Sequence, residues 1–487
     1  MENKIVDFLK SKGISVLQGR KTDKCDVQRS MEVWYSWYCG HVDTFHNYKV
    51  YTGQKMLNCR RLTLDMAGRV CQRWADLLLN EKVDITVSDE YTHKRLQRIL
   101  RNVNFPVRGN NLIELAFAVG GGFFVQYWDG GTTGQKYISQ QNAYPISYDN
   151  GRLTEIAFAS KKTVEGNDYY YLETHTLDGE KHYVIDNFLL CNKGENGELC
   201  EVSEEFYERH GLITKWETHS NIPLFQQVRP NVANRDDFDS PFGRSVYAGA
   251  TDILKSIDCL YDSFHKEFIL GKKRIFVTEG VMSVIEDPTT GEQRRQFDPN
   301  DEVFYRLFDM DGGEGKDPIT EVNPQLRVGE HNQGLQTQLD LLAQAVGLGE
   351  KEFKWESGSV STATQIISEN SKQFRTLKKH EMLLEEAVVG MVRGLLFVEK
   401  TFSTDAEKNK IKCDAEVTVN FDDSIIEDTS EIRRQALLEL NTGVIDEVEY
   451  YMITRKLSEE QAIALRDSIK ERRPKLETEP NPEGDPE

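Results

Sequence analysis

The apolar positions Val246, Ala250, Ile253, Ile257, Leu260, Phe264 and Phe268 recur at spacings of four and three, which is the pattern of one buried stripe on a long amphipathic helix. The spacing predicts a helix over 245–270, roughly 39 Å long at ~1.5 Å per residue, with its other face charged. Gly271 supplies a stop, and Lys272-Lys273-Arg274 supply the cations that suit a helix C-terminus. In front of it, Asp239-Ser240-Pro241-Phe242-Gly243-Arg244-Ser245 carries the Ser and Pro of helix-start chemistry. A second helix from His331, with Leu335, Leu339, Leu342 and Val346 on one face, is a candidate antiparallel partner. A third, over 362–398, follows Ile366, Phe374, Leu377, Leu384, Val388 and Leu395, with Gly390 and Gly394 as places where it could kink. Between the first two helices, Arg274-Ile275-Phe276-Val277 and Val303-Phe304-Tyr305-Arg306-Leu307 read as short strands of a small α/β insert around a polar excursion from Glu286 to Glu292.

Earlier in the chain, residues 20–105 read as helices. One contains the aromatic run Trp34, Tyr35, Trp37 and Tyr38, read as packing; a second opens at Arg61-Leu62-Thr63-Leu64-Asp65-Met66-Ala67 and continues through Val70, Trp74 and Leu77-Leu78-Leu79. An apolar helix over 111–119 runs into Gly120-Gly121-Gly122 and then the strand-like Phe123-Phe124-Val125-Gln126-Tyr127-Trp128. A phosphate loop needs strand, glycines, then helix, so this order predicts a turn. From 123 to 228 the pattern is β, with its clearest hairpin turning tightly at Asp178-Gly179 between His175 and His182, both read as strand surface. A strand over 415–421 precedes Asp422-Asp423 and Asp428, an acidic helix start. Helices follow over 429–439 and 458–472, and the acidic, proline-rich tail from Pro474 reads as disordered.

Composition narrows the function classes. The formal net charge of -20 argues against a protein that wraps nucleic acid on its outer surface, while leaving room for DNA passing through an acidic, non-adhesive channel. The cysteines lie singly, without a Cys-x-x-Cys pair, which suits reduced thiols better than a disulfide framework or a zinc site. No run of apolar residues is long enough to span a bilayer, and Met1-Glu2-Asn3-Lys4 begins no signal peptide. Gly312-Gly313-Glu314-Gly315-Lys316-Asp317 lacks the first glycine and the Ser or Thr of a phosphate loop, and reads as a flexible turn. No catalytic, cofactor or metal constellation is expected.

Several stretches, in order along residues 30–470, resemble the portal proteins of tailed bacteriophages, especially the branch from siphophages of Gram-positive bacteria. They are Leu62-Thr63-Leu64-Asp65-Met66-Ala67 with Trp74-Ala75-Asp76-Leu77-Leu78-Leu79-Asn80-Glu81, Ser240-Pro241-Phe242-Gly243-Arg244-Ser245, Ile257-Asp258 through Tyr261-Asp262, Gly271-Lys272-Lys273-Arg274-Ile275-Phe276-Val277, and Thr362-Ala363-Thr364. The resemblance implies an α+β protomer in a ring, usually of twelve subunits, at one capsid vertex around a DNA channel. Its parts would be a helical and β wing over 1–244, stem helices over 245–274 and 326–348, a clip over 275–325 and a tunnel loop over 349–361. A long channel helix with the return to the wing would fill 362–428, and a helical crown 429–473, before the tail at 474–487. The implied partners are double-stranded DNA, the packaging terminase, a head-completion or connector protein, and scaffold and major capsid protein, in the virion and away from membranes.

That mapping has a physical check. Twelve helices side by side at ~10 Å leave a bore of about 28 Å, wide enough for B-DNA at about 20 Å. Candidate site residues follow from it. The tunnel loop offers Lys351, Phe353, Lys354, Trp355 and Ser359; the stem offers Lys255, Lys266, Lys272, Lys273 and Arg274; and the clip offers Glu286, Asp287, Thr289, Glu292 and Arg294 as a partner surface. Two rival classes are a tail or baseplate structural protein, dominated by the β-rich region, and a DNA-packaging enzyme, disfavoured by the missing phosphate loop.

Overall fold

The computed structural model describes residues 2–16, 24–51, 53–80, 83–193, 198–235, 240–278, 284–286, 289, 291, 293–295, 304–307, 319–349, 351–355, 363–405, 407–421, 429–455, 457 and 459–472. The chain is α+β and divides into two units, Met1–Val360 with Lys372–Phe421, and Ser361–Ser371 with Asp422–Glu487.

The larger unit is built on two antiparallel sheets and the helices that cover them. One sheet runs Glu198–Glu201, Tyr183–Lys193, Asn167–Leu177, Arg152–Val164, Ala143–Asp149, with Lys215–Glu217 as a further neighbour of Tyr183–Lys193. The N-terminal helix Glu2–Ser11 seals one side, because Ile5, Val6 and Leu9 fall on one helical face and pack with Tyr144, Ala157, Leu172 and Leu190. The second sheet is Phe225–Val228, Gly122–Trp128, Thr133–Ser139. Its Gln126 donates to Gln226 at 2.8 Å, and the pair lies against the long helix Ala363–Phe402. Gly390 and Gly394 serve this approach: a Cβ on Gly390 would meet the Gln226 side chain at 2.9 Å, and one on Gly394 the Gln126 side chain at 2.5 Å. Both glycines lie inside an unbroken helical run and permit close packing rather than interrupting it.

Helices Met66–Leu78 and Phe105–Val119 complete this core with fully buried Trp74 and Phe117. His380 stands edge-on between those two rings, at 4.8 and 5.0 Å, and its Nδ1 accepts from the Asn231 amide at 2.9 Å. Burial pushes its imidazole down to about 3. Gly120 ends the Phe105–Val119 helix at φ 100°, and a Cβ there would meet the Gly243 carbonyl oxygen at 2.5 Å. The glycine run is therefore a turn, as expected, and also a backbone crossing.

The structure corrects several expectations. The first long helix spans Thr251–Leu270, not 245–270. Residues before it are committed elsewhere: the Val246 amide donates to the Phe117 carbonyl at 3.0 Å, and Ser245 Oγ to the same oxygen at 3.3 Å. Within 20–105 the structure places an exposed hairpin, Asn47–Tyr51 with Met56–Arg60, and the strand Asp84–Val87, which pairs with Val417–Asn420. Arg61 to Asp65 is a connector, with Asp65 left-handed at φ 57°, and the helix begins at Met66. The turn at Asp178-Gly179 is a longer loop, since the pairing closes at Leu177 opposite Tyr183. Asp178 holds that loop by accepting from the Glu180 and His182 amides. His175 is buried, not strand surface; its Nε2 is 3.0 Å from Glu173, whose carboxylate also pairs with Lys136. Despite burial, that lysine and His175 hold the Glu173 carboxyl at about 2. In the insert over 275–325 the described residues form strands: Arg274–Thr278 pairs parallel with Phe304–Leu307 and antiparallel with Ile319–Val322, while Val284–Glu286 pairs with Gln293–Arg295.

The smaller unit contains Thr429–Thr442, Glu447–Arg455 and Glu459–Arg472, so one helix more than expected stands between the anticipated pair. Asp422, Asp423, Asp428, the Gly312–Asp317 stretch and the tail from Pro474 lie outside the described residues.

Candidate functional site

Helices Thr251–Leu270 and Val328–Ala345 pack antiparallel. Glu267 Oε2 accepts from Arg327 Nη2 at 2.7 Å, Ser263 Oγ is 3.2 Å from His331 Nε2, and Leu260 faces Gly334, so each step back along one helix matches a step forward along the other. Leu335, Leu339, Leu342 and Val346 are all buried, as the periodicity requires. The Arg327 guanidinium holds the Glu267 carboxyl at about 2 and so ties the C-terminus of one helix to the start of the other. The strand module over 274–322 emerges at this end.

The middle of the first helix is locked to the Leu62–Leu64 segment by two carboxylates one turn apart. Asp258 Oδ1 accepts from the Leu64 amide at 2.8 Å, and its Oδ2 lies 3.1 Å from His46 Nε2. Asp262 Oδ1 accepts from the Leu62 amide at 3.2 Å, and its Oδ2 from Lys266 Nζ at 2.5 Å. Lys266 also donates to Tyr48 Oη at 2.5 Å, and these two partners push its ammonium up. Two separate motif stretches of the sequence, Leu62 to Ala67 and Ile257 to Asp262, are thus halves of one joint. The sequence expectation of a charged outer face is corrected here, since Asp258 and Asp262 are buried. Their spacing of one turn beside Ile257 and Tyr261 was the available signal, because a carboxylate on an apolar flank needs a partner.

The loop after the second helix begins as a wedge. Trp355 donates its indole N–H to Asn332 Oδ1 at 3.0 Å and its backbone amide to Gln336 Oε1 at 2.7 Å. Its ring meets Tyr261 and Phe264 edge-on, each at 6.3 Å, so it touches both helices. The Phe353 carbonyl accepts from Gln336 Nε2 at 3.0 Å, and Glu352 pairs with Arg73 at 2.5 Å. Lys354 is exposed and Lys351 half-buried, while Ser359 lies outside the described residues.

The remaining sequence candidates disperse along the helix pair. Lys255 pairs with Asp252 at 2.9 Å, and Lys273 with Glu321 at 2.7 Å across the base of the strand module. Lys272 and Arg274 sit at the same base, Arg274 opposite Val322 in the ladder. Thr289 is exposed; Glu286 and Arg294 belong to the small hairpin's two strands, and Asp287 and Glu292 lie outside the described residues. No cluster of three or more metal-ligating side chains occurs among the described residues.

A family model described as "Phage portal protein, SPP1 Gp6-like" matches residues 23–470. The chain belongs to this phage portal protein family. The match covers the joint, both helices, the strand module and the loop between Ala345 and Ala363. No curated protein matches the chain. Among solved structures, a chain of "Virion of native gene transfer agent (GTA) particle" has a TM-score of 0.43 at 11% identity, covering 80% of this portal chain and 89% of that one. A chain of "Neck of native GTA particle computed with C12 symmetry" has a TM-score of 0.42 at 10% identity, with the same coverage of 80% and 89%. No described helix of the portal chain is long and apolar enough to cross a membrane.

Proposed function

We propose that this portal chain forms a ring, of twelve copies, at one vertex of a phage capsid, and that double-stranded DNA is packaged and later ejected through its axis. The single observation that carries this reading is the family match over 23–470, which spans the antiparallel pair Thr251–Leu270 and Val328–Ala345. Twelve copies that each line the axis with one helix of this pair, at ordinary helix spacing, enclose a bore of about 28 Å, which admits a duplex about 20 Å wide. The chain works as a conduit and catalyses no reaction.

In this reading the helix pair is the stem and the strand module over 274–322 is the clip. The clip docks the packaging terminase during filling and the head-completion or connector protein afterwards, because small polar modules on rigid supports are suited to recognition. Scaffold and major capsid protein contact the wing, and the small helical unit is the crown. The loop after Val346 is the tunnel loop: Trp355 anchors its base on the stem, and Lys351 and Lys354 present charge to passing phosphates. Glu352, turned to Arg73, keeps the local balance near neutral, so DNA slides instead of being held by counterion release. The order of the matching stretches supports the branch found in siphophages of Gram-positive hosts.

Changing Lys351 and Lys354 together to Ala should leave rings intact and change packaging efficiency or DNA retention; wild-type behaviour of both would remove these lysines from the mechanism. Purified chains should show no nucleotide hydrolysis. Rings with an axial opening, seen by negative-stain microscopy, separate the conduit from a tail or baseplate protein.

A further inference from the structure

The hairpin Asn47–Tyr51 with Met56–Arg60 is the least covered regular element of the larger unit. Tyr51 is 66% exposed, Met56 56%, Val50 42% and Leu57 39%. Cross-strand register places Val50 opposite Leu57 and Tyr51 opposite Met56. Successive strand residues point to opposite faces, so each face of the ribbon carries one exposed apolar pair. A two-stranded ribbon with nothing packed on either face is marginal in water. Near its base this one is fastened by Lys266, which reaches Tyr48 Oη, by the Arg61 amide, which donates to the His46 carbonyl, and by the Arg61 guanidinium, which stacks on Phe45 at 4.2 Å.

Charge separates this element further from the rest of the molecule. Between Asp43 and Asp65 the sequence has Lys49, Lys55, Arg60 and Arg61 and no carboxylate, in a chain with a formal net charge of -20. A cationic arm on an acidic protein is attracted to other copies of that protein. Its apolar pairs point the same way. A contact with phosphates needs the cations alone, whereas exposed Val50, Tyr51, Met56 and Leu57 on both faces need an apolar cleft that covers the ribbon on two sides.

We propose that this hairpin is an inter-subunit arm that inserts into an acidic-rimmed cleft of the neighbouring copy in the ring. The proposal rests on the portal reading for the existence of the ring. It assigns the arm's residues their work: the Val50/Leu57 and Tyr51/Met56 pairs are buried by the neighbour, and Lys49 and Arg60 meet carboxylates at the rim. The joint at Asp258 and Asp262 fixes the arm's root to the stem, so seating the arm also sets the angle between neighbouring stems.

The test places a photoreactive benzoylphenylalanine at Tyr51 in the full chain and assembles rings from a mixture of nitrogen-15-labelled and unlabelled copies, with a parallel sample taken from heads. Mass spectrometry should find Tyr51 joined to peptides of the other isotope class. Cross-links only within one chain, or in heads only to DNA or capsid protein, overturn the proposal. The paired variant Tyr51→Ser with Met56→Ser should lose rings while keeping the monomer's unfolding temperature, since both side chains are exposed. The charge variant Lys49→Glu with Arg60→Glu should do the same, and rings at wild-type yield from both variants overturn the assignment. If wild-type chains form no ring and occupy no capsid vertex, the portal reading itself fails. If they do both and the arm cross-links elsewhere, only the arm is wrong.

Discussion

The two ends of one helix in the larger unit are treated differently by the fold. In Thr251–Leu270, the stretch through Asp262 is saturated with internal partners: Leu254 and Ile257 are buried at 2% and 0% exposure, and Asp258 and Asp262 receive amide hydrogens from the Leu62 to Leu64 segment. The last turn leaves Phe268, Ile269 and Leu270 exposed at 44%, 48% and 63%. The difference teaches where the monomer stops and the assembly begins. The body of the helix is required for the chain to fold, and its last turn carries apolar surface that a single copy does not bury.

The largest expected effect that sharpens this contrast is in the first half. Ile257→Ala should cost about 3 kcal/mol of monomer stability, measured by denaturant unfolding, because it opens a cavity in a fully packed site. A cost below about 1 kcal/mol would mean that this end is not the folding half. Asp258→Ala should cost about 2.5 kcal/mol, since the buried Leu64 amide loses its acceptor and His46 its partner. The measurement is the same, and stability unchanged within about 0.5 kcal/mol would remove the joint from the account.

Acid separates the core from the helix-pair end in a second way. The buried His380 imidazole sits at about 3, below its ordinary value near 6.5, so the unfolded chain takes up the proton first and stability is lost as pH falls below 6.5. By pH 5 the loss should reach about 2 kcal/mol, and His380→Leu should flatten that part of the profile. Glu267, held at about 2 by Arg327, keeps the ends of the helix pair tied until pH falls through the ordinary carboxylate range toward 2. Assembly lost between pH 6.5 and 5 should therefore track unfolding of the core, with the Glu267–Arg327 tie intact.

Trp355→Ala should cost about 1.5 kcal/mol, from the lost Asn332 bond and the ring contacts to Tyr261 and Phe264. Smallest for the monomer is Phe268→Ser, which should stay within about 0.5 kcal/mol of the parent and yet reduce ring yield. A large monomer destabilisation would contradict the division of the helix.

Much of the helical frame was legible in the sequence, because Leu335, Leu339, Leu342 and Val346 repeat with the helix period and have no other use. The third helix was legible for the same reason over 362–398, and in the structure it runs Ala363–Phe402. The hairpin at 47–60 was not, since a ribbon exposed on both faces carries no alternation of apolar and polar residues. The helix start at Thr251 was missed because Ser240 to Ser245 resembles a cap, while its backbone is drawn to Phe117 and Gly120 from far away in sequence. The joint is of the same kind: Asp258 looks like surface charge until the Leu64 amide is brought to it across 194 positions. Trp355 was legible as unusual in a polar loop, but its seat on Asn332 and Gln336 depends on how the two helices pack.

Negative-stain microscopy of the purified chain, with portal vertices from heads imaged alongside, tests the central claim most directly. End-on views should show closed rings with an axial opening of about 28 Å, the bore that twelve packed stem helices leave. Only monomers in solution, together with heads whose vertices lack the chain, would contradict it.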